Sequence, residues 1–107
     1  MSNLDFTISC TVTFFSKKMT NLPNLNNGKY SPYIVVKGTE EHIETNFIDG
    51  EDVIFDQLIR ANALPVNEDI HYSSLQEGTE FLIMEGSAIV GAGIVKELFQ
   101  HGPHKKK

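Results

Sequence analysis

The residues best suited to metal binding or nucleophilic chemistry are four histidines and a single cysteine. His42 and His71 have no partner at the spacing of a metal-ligand motif. His101 and His104 could hold a stray metal ion, but they belong to a lysine-rich tail that we expect to be solvated. Cys10 alternates with apolar residues, which indicates a buried small hydrophobe, and one cysteine excludes an internal disulfide. We therefore predict no catalytic residue, no metal site and no cofactor.

Acidic side chains, which could pair as general acid and base or bind calcium, concentrate in two short stretches of the sequence. They are Glu40, Glu41 and Glu44 in the first stretch and Asp49, Glu51 and Asp52 in the second. Neither stretch has the Asp-x-Asp-x-Asp-Gly spacing of a calcium loop. We interpret both as solvated acidic surfaces, and they are candidate binding sites for a protein with a basic surface, since charge complementarity speeds encounter.

A smaller group of basic and aromatic residues surrounds a polar segment near the start of the chain. The cations are Lys17, Lys18 and Lys29, and the aromatic residues are Tyr30 and Tyr33. Lysines that contact phosphates and rings that stack on bases would suit RNA. Scattered solvated lysines and aromatic residues in a core or interface are the alternative interpretation. We keep all five as candidate partner-binding residues.

The length and charge of the chain limit these alternatives. With 107 residues it can bury one modest core, so we predict one domain over residues 1–100 and a flexible His/Lys tail over 101–107. The net charge is -5, and because Lys105–Lys107 contribute +3, the rest of the chain carries -8. This acidic balance disfavours a broad nucleic-acid surface. The absence of a long apolar run or secretory signal predicts a cytoplasmic protein without membrane contact.

The hydrophobic pattern predicts the strands that must position these residues. Apolar side chains alternate with threonine and serine over 6–15, and further strands are predicted over 30–37, 42–48 and 88–99, with another around Phe81 and Ile83. Residues 16–28 indicate a long ordered loop. Asp49-Gly50, Glu77-Gly78 and Glu85-Gly86-Ser87 are predicted turns. Short strands without a long helix favour an all-β barrel or sandwich.

The segment around 55–75 fits two interpretations. Val53 and Phe55 continue a strand, while Phe55, Leu58, Ile59 and Ala63 have helical spacing. A short helix or an extra loop therefore remains open there. Pro65 should end either element, because its ring cannot continue a helix or donate to a central ladder.

The hairpin near the end of the sequence resembles a known family. Phe81–Val95 reads Phe-Leu-Ile-Met-Glu-Gly-Ser-Ala-Ile-Val-Gly-Ala-Gly-Ile-Val, which is similar to the closing hairpin of the third domain of elongation factor Tu. That family has Arg-Glu-Gly-Gly-Arg-Thr followed by Val-Gly-Ala-Gly-Val-Val. Weaker similarities occur earlier in the chain, in the same order as in the family, at Leu4–Lys18, Gly28–Tyr33 and Phe47–Val53. The resemblance implies a small closed antiparallel barrel of six strands.

In elongation factor Tu this domain helps to hold aminoacyl-tRNA and packs against the GTPase domain. The phosphate-binding Gly-x-x-x-x-Gly-Lys-Ser/Thr loop of a GTPase does not occur in this sequence. Gly91-x-Gly93 is not a dinucleotide-binding loop, because Lys96 stands where that motif needs its third glycine. The family's turn arginine corresponds to Ala88, and its Arg-Pro-Gln to Ser31-Pro32-Tyr33. The basic groups suited to RNA are thus missing where the resemblance would place them.

From these features we predict a protein-binding module or regulator without enzymatic activity, with a basic toxin or translation component as partner. An immunity or antitoxin role is one specific form of this hypothesis. The alternative is a translation-associated module that binds tRNA or another RNA.

Overall fold

In a computed structural model, residues 6–39, 42–66 and 75–100 are described. Six strands account for most of these residues. They are β1 (Phe6–Phe14), β2 (Tyr33–Val36), β3 (His42–Gly50), β4 (Ile59–Pro65), β5 (Glu80–Glu85) and β6 (Ala88–Gln100). The all-β prediction is confirmed. The His/Lys tail and His71 lie outside the described residues.

The strands close into one barrel. Every neighbouring pair is antiparallel, and the order around the barrel is β1-β4-β3-β2-β5-β6, with β6 pairing back onto β1. This confirms the closed six-stranded antiparallel barrel that the resemblance implied. Closure leaves none of the six described strands with an unpaired side, and small β proteins avoid aggregation through exposed sheet edges in this way.

The barrel interior is filled by every second residue of the strands, because successive side chains of a strand point to opposite faces. Phe14, Phe47 and Phe81 are the largest side chains that are fully buried. The inward residues of β1 are Ile8, Cys10, Val12 and Phe14, as the alternation predicted. Outward positions of the same strand carry threonine and serine.

The ambiguity over 55–75 is partly settled. Residues 51–58 form a loop that is followed by β4, so the helical interpretation of this part is wrong, and Val53 and Phe55 do not continue a strand. Ile59, Ala61 and Ala63 alternate inward, whereas Leu58 is 70% exposed. The two-residue alternation of burial over 59–65 is that of a strand, and Pro65 is the last residue of β4 as expected. Residues 67–74 lie outside the described part.

Two local predictions are corrected near β3. Asp49-Gly50 is not a turn, since β3 continues through Gly50 with a bulge between Phe47 and Asp49. Gly50 is closely covered, and a Cβ there would lie 2.8 Å from Leu25 Cδ1. The predicted strand over 30–37 is shorter than expected, because Pro32 has no N–H. Tyr30 and Pro32 still accept backbone bonds from β3 through their carbonyls.

Three glycines of the last hairpin occupy positions where a side chain would be strained or would not fit. Gly86 has a positive φ of 62° in the turn. A Cβ at Gly91 would lie 2.5 Å from Thr13 O, and one at Gly93 would lie 2.6 Å from the Phe81 ring. These two positions let β6 approach β1 and the core closely.

Candidate functional site

Three connections lie at one end of the barrel. They are the long loop 15–32, the loop 51–58 and the turn 86–87. The first two are tied together by Asp56, whose carboxylate accepts hydrogen bonds from Ser16 N (3.2 Å) and Ser16 Oγ (2.7 Å). The backbone N–H of Asp56 donates to Phe14 O. This end therefore forms one ordered surface.

Tyr30 anchors the long loop to that end of the barrel. Its ring lies edge-on to Phe14 at 5.9 Å between centroids and is stacked on Phe47 at 5.8 Å. Its hydroxyl donates to Glu85 Oε2 at 2.7 Å. Burial, together with this carboxylate, raises the pKa of Tyr30 above its ordinary value. One ring face is already occupied by Phe47, so the residue packs as part of the core.

The lysines of the basic group are all exposed. Lys17 and Lys18 share the turn that follows β1, and Lys29 lies at the far end of the same loop. Lys18 lines a groove of about 340 Å³ together with Tyr30 and Glu85. The groove places a cation and a carboxylate on one surface, and the two form no ion pair.

The second acidic stretch borders a shallow polar groove of about 520 Å³ beside β3 and β4. Asp49 accepts a hydrogen bond from Asn62 at 2.7 Å, and Glu51 accepts one from the backbone N–H of Arg60 at 2.8 Å. Asp52 lines an adjoining groove. Two of the three carboxylates thus hold β3 and the following loop against β4.

The first acidic stretch is described only in part, since Glu40 and Glu41 lie outside the described residues. Glu44 is in β3, directly opposite Tyr33 of β2. Tyr33 is 41% exposed, and its ring meets His42 edge-on at 6.1 Å. The structure therefore brings Tyr33 and Glu44 together.

Cys10 faces the interior, where its thiol lies 3.6 Å from Ala61 O. Burial raises the pKa of Cys10 to about 12, so the thiolate needed for nucleophilic attack is suppressed. The prediction that this residue is a buried small hydrophobe is confirmed. Within the described ranges, no group of three His, Cys, Asp or Glu side chains could hold a metal ion.

The middle of the outer surface of β2, β5 and β6 is apolar, which the sequence reasoning missed. The apolar outer face consists of Tyr33 and Val35 of β2, Leu82 and Met84 of β5, and Ile89 and Ala92 of β6. Strand register aligns them in two rows, Tyr33-Met84-Ile89 and Val35-Leu82-Ala92. Neighbouring side chains in such rows touch across the strands.

The opposite half of the barrel is mostly polar on its outside. Ser9 and Thr11 of β1 lie opposite Asn62 and Arg60 of β4. The difference was visible in the sequence, because Ile34-Val35-Val36 and Phe81-Leu82-Ile83-Met84 are continuous apolar runs and not alternating ones. Continuous runs are typical of strands that are covered on both faces. Here the core covers only one face.

No family model matches this sequence, and a search of curated proteins gives no match. The fold defines the class as a small closed antiparallel β-barrel. None of the described residues belongs to a helix that is long and apolar enough to cross a membrane.

Proposed function

We propose that this protein is a non-catalytic protein-binding module, built on a barrel similar to the third domain of elongation factor Tu. The observation that supports the proposal is the apolar outer face. Its central residues, Val35, Leu82 and Met84, come from strands that are apolar on both sides. Tyr33 and Ile89 are exposed and the central residues are partly exposed. A contiguous apolar surface on the outside of a protein is typical of protein interaction sites.

The resemblance of Phe81–Val95 to elongation factor Tu supports the same proposal from the sequence. Its changed positions, Ala88 and Ser31-Pro32-Tyr33, disfavour the RNA role of the family. The acidic charge fits a regulator of the immunity or antitoxin type that covers a basic protein in the cytoplasm. A toxin or a translation component would be such a partner.

A capture experiment tests the proposal. The face variant changes Val35, Leu82 and Met84 to Thr, and the matched control changes Ser9, Thr11 and Thr13 to Ala on the polar half. Crosslinked pull-downs from the native cells should recover a protein with the wild-type chain and the control but not with the face variant. Recovery of the same proteins by all three chains would contradict the proposal.

A tRNA-binding assay with the same face variant tests the RNA alternative. Binding of tRNA at low salt, lost when Lys17, Lys18 and Lys29 are changed to Ala and retained by the face variant, would favour it. If the proposed protein-binding function is correct, the lysine variant should capture the same protein as the wild type.

A further inference from the structure

We infer that the apolar outer face binds a different protein, one that presents apolar side chains bordered by lysine or arginine, and not a second copy of this chain. The inference rests on the proposed protein-binding function and adds the chemistry of the partner. It follows from the charges that border the face and from the closure of the barrel.

One carboxylate lies beside the more exposed row of the face, Tyr33-Met84-Ile89, and a second lies at the adjoining end of the barrel. Glu44 lies opposite Tyr33 on the outer side, whereas Glu85 follows Met84 and directs its carboxylate to Tyr30 at the end of the barrel. Within the described part of the chain neither carboxylate forms an ion pair. A partner that covers this row and the adjoining barrel end would remove both carboxylates from water, which is costly unless it supplies cations.

Glu85 is the better placed of the two to accept a basic side chain. Its Oε2 already accepts the hydroxyl of Tyr30, which fixes the side chain in place. Its other oxygen has no hydrogen bond to any described residue. The adjoining groove is lined by Met19, Leu22 and Pro23, which can pack against the aliphatic stem of a lysine or arginine, and by Lys18, which forms no ion pair with Glu85.

The charges near the face disfavour a second copy. Lys37 Nζ forms an ion pair with Glu80 Oε1 at 2.8 Å, and Lys37 lowers the pKa of Glu80. Each copy also has a net charge of -5, which opposes its approach to an identical molecule.

Closure of the barrel defines how the partner binds. Because every strand is paired on both sides, a partner cannot extend the sheet by adding a strand. It must pack side chains onto the face. Selectivity then depends on the apolar rows and on Glu44 and Glu85.

Three synthetic helical peptides test the inference against the full chain by NMR titration. One has a leucine stripe bordered by lysines, one has the same stripe bordered by glutamates, and one keeps the lysines but has serine in place of leucine. We expect the first to shift the resonances of Leu82, Met84 and Ile89 and to bind at least about tenfold more tightly than the others. Changing Glu44 and Glu85 to Gln should remove most of that preference.

The outcomes separate this inference from the proposed function. Equal binding of the lysine and glutamate peptides at the face would overturn the charge inference while supporting protein binding. A dimer in sedimentation that dissociates on Leu82→Thr would identify a second copy as the occupant and also overturn it. A monomer that binds no peptide at the face would count against both. Unchanged amide spectra of the Gln variant would show that it is folded.

Discussion

Asp56 joins two loops at a single residue. Its backbone has a positive φ of 65°, a region that Asp and Asn tolerate better than other non-glycine residues. Its carboxylate accepts two hydrogen bonds from Ser16, from the hydroxyl and the backbone N–H. These bonds lower the pKa of Asp56 below its ordinary value. The charged form is therefore favoured in the folded state.

The lowered pKa of Asp56 predicts a pH-dependent contribution to stability. The contribution is fully present above the ordinary Asp pKa of 3.8 and is lost as pH falls through the lower folded value. Asp56→Asn keeps the backbone preference but cannot titrate. The free energy of unfolding, measured by denaturant from neutral to acidic pH, should fall more steeply for the wild type than for this variant. Parallel pH curves would contradict the assignment.

Gly93 offers a second test at the residue scale, since a Cβ there would lie 2.6 Å from the Phe81 ring. Gly93→Ala should lower the free energy of unfolding by about 1 to 3 kcal/mol through overpacking. Combining it with Phe81→Leu, which removes the clashing ring atoms, should recover part of that loss in a double-mutant cycle. Strictly additive losses would mean that the ring is not the cause.

Some of these residue roles could be predicted from the sequence. Gly91, Gly93 and Cys10 occupy positions in an alternating or glycine-marked strand, so local pattern was enough to predict a close approach or burial. The contact of Tyr30 with Glu85 was not accessible in this way. It joins residues 55 positions apart, and only the closed barrel brings them together.

At the scale of elements, one side chain of the long loop forms paired hydrogen bonds with the backbone of β3, as a neighbouring strand would. Asn26 donates from Nδ2 to Gly50 O at 3.0 Å and accepts from Gly50 N at 3.2 Å. Leu25 beside it is fully buried. The loop is thus fixed to the end of β3 by a paired hydrogen bond and an apolar anchor.

Asn26→Ala should lower the free energy of unfolding by about 1 to 2 kcal/mol, because two hydrogen bonds to Gly50 are lost. Hydrogen exchange of the Gly50 amide should become faster at the same time. Asn21→Ala is a suitable control, since Asn21 lies in the same loop and has no hydrogen bond to a described residue. An equal effect of both changes would contradict the pairing.

Strand positions were predictable because the two-residue period of the core survives in the sequence. The end of β3 could not be predicted from the sequence, since Asp49-Gly50 has the composition of a turn. Long-range pairing with Ala61 and Asn62 carries the strand through it. The acidic stretches were predicted as one kind of solvated surface. Asp49 and Glu51 are exposed, and they also bond to β4, a role that depends on strand order.

At the scale of the whole molecule, the barrel has an apolar and a polar outer half. Leu82→Thr and Met84→Thr should change the free energy of unfolding by less than about 1 kcal/mol, because these side chains are only partly buried. Ile83→Thr, between them in β5, should cost about 2 to 4 kcal/mol, because it is completely buried. Denaturant titration of the three variants tests this, and similar losses for all three would mean that the face is part of the core.

The pairing of β6 with both β5 and β1 has a consequence for how the chain folds during synthesis. A ribosome adds roughly 5–20 residues per second, and β1 emerges first. It can pair with β4 midway through synthesis, but its other side must wait for β6, whose 13 residues come last among the six strands. Until then β1 and β5 have open sides and the core is exposed. Nascent chains should therefore need protection by chaperones until β6 has left the exit tunnel.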